Sequence, residues 1–361
     1  MILNGYTPES IAESIALIRA DGLIGLPTET VYGLAADADS AQAVAKIFAA
    51  KGRPADHPLI VHVADAGGVA HFADHVPEFA NRLIAAFWPG PLTLILPRRE
   101  GVAQAAAGGQ NSIGLRCPSH PVAQALLMAL YDDSVHQTRG EGVNPAVSIL
   151  AGSARRIWGL AAPSANQFGR VSPTTAAHVQ GEFGADLLIL DGGPCDVGIE
   201  STIVDCTRGV PVLLRPGVIT PAQLQAACGQ KVLLKEELLA HMEQGPRASG
   251  TLESHYAPTA TVRLMEARAL QTALDMLGAD MDVKGRGQPV IATYSRIVLR
   301  CASSRVLHRR MPDDAAATAQ QLFAVLRDFD GQGVKLIWVE SPPDTPEWQG
   351  VTDRLTRAAA S

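Results

Sequence analysis

Apolar residues recur at helical spacing from Ile11 to Ile18, and the next apolar run, Gly22-Leu-Ile-Gly-Leu-Pro27, is short and ends in proline. The first pattern predicts an amphipathic helix and the second a buried strand. The alternation continues. Ser40 offers a side-chain oxygen to the unpaired amides at the start of a helix through Ala49. Leu59–Val63 and Leu92–Leu96 read as strands, Glu78–Phe87 as a helix between them, and Pro121–Leu130 as a helix with proline in its first turn. Strands resume at Leu160–Pro163, Leu187–Leu190, Thr202–Asp205 and Val212–Leu214, and Thr220-Pro221 reads as a cap opening another helix. Short strands interleaved with helices predict an α/β fold, a sheet covered by helices.

From Gly245 to Pro258 the pattern breaks into GPRASGTLESHYAP, rich in Gly, Pro and Ser and without apolar periodicity. It reads as a linker. A second α/β pattern follows, with strands at Thr261–Met265, Pro289–Thr293 and Val334–Val339 and helices ending near Leu277, over Asp313–Asp328 and over Trp348–Ala359. Two units are expected, 1–245 and 260–361, joined by a linker at 246–259; a chain of 361 residues has the length for both.

Composition narrows the function. Hydrophobic residues at 47% and charged residues at 18% fit a packed core rather than a disordered chain. A net charge of −6 argues against stable nonspecific binding to nucleic acid, which needs a cationic surplus. Five cysteines, an odd count with no CxxC pair, make a disulfide framework or structural zinc site a poor fit and point to a reducing compartment, the cytoplasm. Met1–Ser10 has no basic segment leading into an apolar run, and no stretch of about 18 apolar residues occurs, so neither a signal peptide nor a membrane span is expected.

The common phosphate loops, the zinc-protease motif and the nucleophile elbow are all missing from the sequence. Instead, polar clusters follow the apolar runs: Pro27-Thr-Glu-Thr-Val-Tyr-Gly33, Lys51-Gly-Arg-Pro-Ala-Asp-His-Pro-Leu59, Ser112-Ile-Gly-Leu-Arg116, Ala162-Pro-Ser-Ala-Asn166 running on to Arg170-Val-Ser172, and Glu200-Ser-Thr before Leu214-Arg-Pro-Gly217. Open α/β sheets bind ligands beyond the carboxyl ends of their strands, where such clusters would stand. Together they hold Lys51, Arg53, His57, His62, Arg116 and Arg215, a local cationic surplus in an acidic chain. That suits a substrate with several negative charges, and the planar fork of arginine suits carboxylate and phosphate. Each cluster alone has a plainer explanation: helix caps, a solvated helix terminus, a turn, an exposed strand end.

In this order the clusters resemble the YrdC-like threonylcarbamoyl-AMP synthase family. The matching segments are PTETVYGL (27–34), KGRPADHPLIVHV (51–63), WPGPLTLIL (88–96), IGLRCPSHP (113–121), APSANQFGRVSPT (162–174), IESTIVD (199–205) and LLRPGVI (213–219). Ser249-Gly250 with His255-Tyr256-Ala257-Pro258, and the tail with LFAVLRDFD, IWVE and TDRLTRAA, are similar to the long two-domain form. The resemblance implies a twisted open sheet flanked by helices, plus a smaller C-terminal Rossmann-like α/β domain. It implies that threonine's amine captures CO2 from bicarbonate and that the carbamate oxygen attacks the α-phosphate of ATP, releasing pyrophosphate. A separate complex would then pass the threonylcarbamoyl group to adenosine next to the anticodon of tRNA; a weak tRNA contact by this chain is left open.

Carried over by position, Thr30, His62, Arg116, Ala162 and Ser201 would meet L-threonine, with Arg116 as the fork for its carboxylate. Lys51, Arg53, His57, Ser112, Ser164, Asn166, Ser172, Arg215 and Tyr256 would meet ATP, and Lys51, Arg53 and Arg116 would carry the catalysis. Magnesium would come bound to the triphosphate, without a dedicated protein site. The linker, with Tyr256, is the expected lid over a labile intermediate. One stretch departs from the family pattern: about 131–158, with His136, Arg139 and Arg155, looks like an insertion. Two other readings compete, an RNA-binding surface without catalysis and a carbamoyltransferase. The first lacks aromatic residues interleaved with cations, and the second lacks the acylphosphatase and zinc segments that accompany such enzymes.

Overall fold

Two separate sheets organise the chain. The computed structural model describes residues 1–131, 155–235, 237, 255–277, 289–301 and 303–360. Residues 132–154 of the expected insertion, with His136 and Arg139, and 246–254 of the expected linker, with Ser249 and Gly250, lie outside the described residues.

The larger sheet collects β1 (Ile2–Asn4), β2 (Ile24–Leu26), β3 (Gly33–Asp37), β4 (Ile60–His62), β5 (Leu92–Pro97) and β6 (Ser112–Arg116). It continues with β7 (Leu160–Ala161), β8 (Leu188–Asp191), β9 (Thr202–Asp205), β10 (Val212–Arg215) and β11 (Leu233–Leu234). Their spatial order is β1-β8-β2-β3-β7-β4-β6-β5-β9-β10-β11. The sheet is mixed: β4 and β6 run parallel, whereas β7 lies antiparallel to β4 and β10 to β9.

Successive residues of a strand face opposite sides, and each side has its own cover. Leu34 and Ala36 join one apolar cluster with Val44, Ile47, Leu83 and Leu224, from the helices Ala41–Lys51, Glu78–Phe87 and Pro221–Cys228. Ala35, between them, joins another with Ile18 and Leu126, from the helices Pro8–Arg19 and Pro121–Tyr131. The caps anticipated from the sequence form: Ser40 accepts from the amide of Ala43, and Thr220 makes a reciprocal capping box with Gln223.

The smaller sheet is wholly parallel, in the order β12-β15-β13-β14, from β12 (Thr261–Met265), β13 (Ile291–Ser295), β14 (Val306–Arg310) and β15 (Leu336–Glu340). Helix Ala267–Leu277 covers one face, and helices Ala315–Gly331 and Gln349–Ala359 the other. The second of these cores also takes in Val31, Val171 and Ile199 from the larger unit, so apolar packing is continuous across the junction.

Several elements were not anticipated. β3 is built of small residues, Gly-Leu-Ala-Ala-Asp, which carry little strand preference, and exists because β2 and β7 flank it. The short helix Ala66–Phe72 contains two glycines but is capped by Asp65, which accepts from the amides of Gly67 and Gly68. β14 pairs with β13 alone and is largely exposed, so its sequence, Val-Leu-His-Arg-Arg, shows no buried stripe. No described helix is long and apolar enough to cross a membrane.

Candidate active site

The register of β4 and β6 sets the centre of the site. His62 and Arg116 are the last residues of these parallel strands and are direct partners across the ladder. Both are buried, at 3% and 4% exposure, where polar side chains persist only with partners or ligands. Arg116 donates to the Thr30 hydroxyl (2.7 Å) and to the carbonyl of Gly90 (3.2 Å). It also faces the Glu29 carboxylate at 2.7 Å. The fork expected to await a substrate carboxylate is thus already oriented by an internal one. Neither ring nitrogen of His62 has a partner among the described residues. Burial, reinforced by Arg116, holds His62 well below the ordinary histidine range, so the ring is neutral at pH 7.

The other walls come from distant segments. Ala162-Pro163-Ser164 follow β7, and Gly33 lets the opposing loop close on them, because a β-carbon there would stand 3.1 Å from that of Ala162. Ser201 precedes β9, and its hydroxyl meets that of Thr93 at 2.7 Å. Arg215 ends β10 and donates to the Ser201 carbonyl at 3.0 and 2.9 Å. A single cavity is lined by Thr30, His62, Arg116, Ala162, Ser164, Ser201, Arg215 and Tyr256, together with Glu200 and His255.

The remaining expected residues do not line this cavity; Lys51 and Ser172 contact residues that do. Helix Ala41–Lys51 ends in a left-handed turn at Gly52 (φ 62°), a conformation glycine adopts at little cost, and Lys51, its last residue, is buried. The Lys51 ammonium contacts the carbonyls of Ser164 and Asn166. Burial, with Arg53 nearby, lowers Lys51 to about 7. Arg53 donates to the carbonyl of Pro58 (2.9 Å), and its guanidinium lies 5.8 Å over the Phe168 ring, against which His57 also packs at 5.6 Å. Ser172 donates to Glu200, and Asn166 ties its own loop through the carbonyls of Gln167 and Arg170. Ser112 stands at the other end of β6 from Arg116, four residues or about 13 Å away at 3.3 Å per residue. Arg53, His57 and Ser112, expected at the nucleotide, are not among the residues that line the cavity with His62 and Arg116.

The linker's end closes this space. Tyr256 is buried with φ 63°, a left-handed conformation uncommon outside glycine, and His255 stacks edge-on against it at 4.1 Å. The room left is about 30 Å³, space for about two water molecules. Burial lowers His255 to about 3; Glu200 opposes this, and Arg53, Lys51 and Arg215 reinforce it.

Glu29, Glu200, Phe168 and His255 were given no role from the sequence. Glu29 and Glu200 sit inside quoted motifs, but a carboxylate's partner cannot be read from its neighbours. Burial pushes the Glu200 carboxyl up; Arg354, then Arg215, and the Ser172 hydroxyl outweigh this and hold it below the usual range. Among the described residues no group of three or more His, Cys, Asp or Glu is placed to hold a metal ion.

Residues 16–217 match the family model of Sua5, YciO and YrdC, described as Telomere recombination, and residues 219–360 match the model described as Threonylcarbamoyl-AMP synthase, C-terminal domain. A Bacillus subtilis threonylcarbamoyl-AMP synthase is 36% identical over 352 residues, covering 97% of this chain and 92% of its own length. A Pyrococcus abyssi protein of the same name is 35% identical over 345 residues, covering 95% and 92%. The crystal structure of Pyrococcus abyssi Sua5 complexed with L-threonine superposes with a TM-score of 0.80 at 31% identity, over 99% of this chain and 97% of that one. Sequence and architecture agree from end to end, and the chain belongs to the Sua5, YciO and YrdC family, in the two-domain form that carries the threonylcarbamoyl-AMP synthase C-terminal domain.

Proposed function

We propose that this cleft makes L-threonylcarbamoyl-AMP from L-threonine, bicarbonate and ATP, releasing pyrophosphate. The observation that carries the reading is the buried pair of His62 and Arg116 on adjacent strand ends, one with two unsatisfied nitrogens and the other oriented by Thr30, in a cavity that Arg215 also lines. Threonine belongs at that end: its carboxylate on Arg116, its polar groups near Thr30, His62, Ala162 and Ser201. A neutral His62 accepts a hydrogen bond from the substrate's ammonium or hydroxyl. The amine, once deprotonated, attacks CO2 formed from bicarbonate to give the N-carboxylate. That oxygen attacks the α-phosphorus of ATP, and pyrophosphate leaves.

ATP would lie along the other arm, its phosphates near Lys51, Arg53 and Arg215 and its nucleoside toward His57, Ser112, Ser164, Asn166 and Ser172. Phosphoryl transfer asks for positioning and for fixed positive charge, which these side chains supply. Magnesium would arrive with the triphosphate. Tyr256 and His255 occupy space the substrates need, so the linker would withdraw to admit them and return as a lid. We take the linker as 246–259, between units 1–245 and 260–361, and 131–158 as an insertion. The product would pass to a threonylcarbamoyl-transferring complex that modifies tRNA, and five free thiols fit a cytoplasmic enzyme.

Pyrophosphate release with ATP, bicarbonate and each of several amino acids tests the reading. Release that requires both threonine and bicarbonate is expected. Release that is indifferent to the amino acid, or tRNA binding with a steep salt dependence and no ATP turnover, would refute it.

A further inference from the structure

Arg354, on the last helix of the C-terminal unit, has no solvent exposure, and it reaches Glu200 and Pro216 of the larger unit. It occupies one position of a buried stripe otherwise made of Gly350, Val351, Leu355 and Ala358. All three nitrogens of its guanidinium donate. Nε donates to the Glu200 carboxylate (2.9 Å), Nη2 to the Glu200 backbone carbonyl (3.0 Å), and Nη1 to the carbonyl of Pro216 (2.7 Å) and to Asp353 (2.9 Å). Its flat face lies 5.3 Å from the Tyr256 ring centroid, and the Phe323 ring stacks on that tyrosine at 5.5 Å.

Apart from Asp353, its neighbour on the same helix, the groups it holds line the cleft or adjoin residues that do. Glu200 lines the cavity and precedes Ser201. Its second oxygen accepts from Ser172, and Pro216 follows Arg215, which in turn grips Ser201. One side chain from the C-terminal unit thus holds the Glu200 and Pro216 segments, reaches Ser172 through Glu200, and packs on the linker's tyrosine. We propose that Arg354 is a positioning residue for the nucleotide arm of the site, so that the C-terminal unit serves the reaction as a brace rather than as a binding module of its own. The proposal rests on the function proposed above.

A bidentate arginine cannot be replaced by lysine without losing the fork, whereas a surface arginine can be lost freely. The test compares wild type with Arg354→Met, Arg354→Lys and, as a control, Arg309→Ala, whose exposed ion pair with Asp328 (2.6 Å) is on the same unit. Folding is checked by circular dichroism and melting, and threonine-dependent pyrophosphate release is measured with ATP and threonine varied separately. For Arg354→Met we expect KM for ATP to rise about tenfold or more, KM for threonine to change less than about threefold, and added ethylguanidinium to restore part of the loss. Arg354→Lys should fall between Met and wild type, and Arg309→Ala should match wild type. If Arg354→Met unfolds, the comparison is read from the lysine variant. A folded variant with wild-type KM for ATP overturns the proposal, as does a loss that falls equally on both substrates. A wild-type chain without threonine-dependent release would overturn the functional reading instead.

Discussion

Both sheets end parallel strands in polar loops, and the two edges are filled in opposite ways. At the edge of the smaller sheet, Glu340 ends β15 beside Ser295, the last residue of β13. The Glu340 carboxylate accepts from the Ser295 hydroxyl (2.7 Å) and from the amides of Arg296 (2.7 Å) and Ile297 (3.2 Å), and it pairs with the Arg296 guanidinium. Consecutive amides plus a cation form the sort of nest that holds a phosphate, and here the chain supplies the anion itself. At the edge of the larger sheet, His62 and Arg116 stand on equivalent strand ends, but His62 is left without a partner among the described residues, and Arg116 and Arg215 line one cavity with it. Two clusters at strand ends therefore differ in how far the chain itself satisfies them. At the smaller edge the Glu340 carboxylate meets two amides, a hydroxyl and a guanidinium of its own chain; at the larger edge Glu29 orients Arg116, but both ring nitrogens of His62 are left without a partner among the described residues.

Breaking the larger edge should have the greatest effect. Arg116→Ala removes the fork and strands Glu29 as a buried, unpaired charge. We expect threonine-dependent turnover to fall by about 10²- to 10³-fold, the equivalent of ~3–4 kcal/mol. Urea unfolding should show a stability loss of about 3–5 kcal/mol. Arg116→Lys should keep part of the stability and little of the activity. A variant with near-normal KM for threonine would show that the fork does not face the substrate.

Lys51 sharpens the contrast on a smaller scale. In the folded chain it titrates at about 7, because burial, then Arg53, disfavours its charge. The unfolded chain keeps that proton up to the usual lysine range. Between the two values the unfolded state binds more protons, so this group makes stability rise with pH across that window and penalises the fold below it. The melting advantage of Lys51→Met over wild type should therefore be largest below pH 7 and shrink toward pH 10. ATP, an anion, should restore the charge: at pH 8 its binding should take up close to one proton, and none in Lys51→Met. Calorimetry in buffers of different ionisation enthalpy measures this, and equal uptake by both proteins would contradict it.

Most of the fold was legible because burial imposes periodicity. Glu78–Phe87, Thr202–Asp205 and Thr261–Met265 stand where the pattern put them, and Ser40 and Thr220 cap the helices they were expected to cap. β3 and β14 were not legible, since their conformation depends on neighbours far along the chain. The candidate site divides the same way. Cations following apolar runs could be picked out locally, and His62, Arg116 and Arg215 do converge. Their partners could not: Glu200 and Arg354 are 154 residues apart. One local signal did exist, a lone arginine on the apolar stripe of the final helix. A buried guanidinium needs partners, and besides Asp353 on the same helix these are Glu200 and Pro216 of the other unit.

The central claim is that one edge binds ligands and the other is already full. Calorimetric titration with a non-hydrolysable ATP analogue tests it most directly, on wild type, Arg215→Met and Glu340→Gln. One equivalent bound by wild type, weakened at least tenfold by Arg215→Met and unchanged by Glu340→Gln, is the predicted result. Two equivalents, or binding that survives Arg215→Met and disappears with Glu340→Gln, would place the nucleotide at the wrong edge and contradict the account.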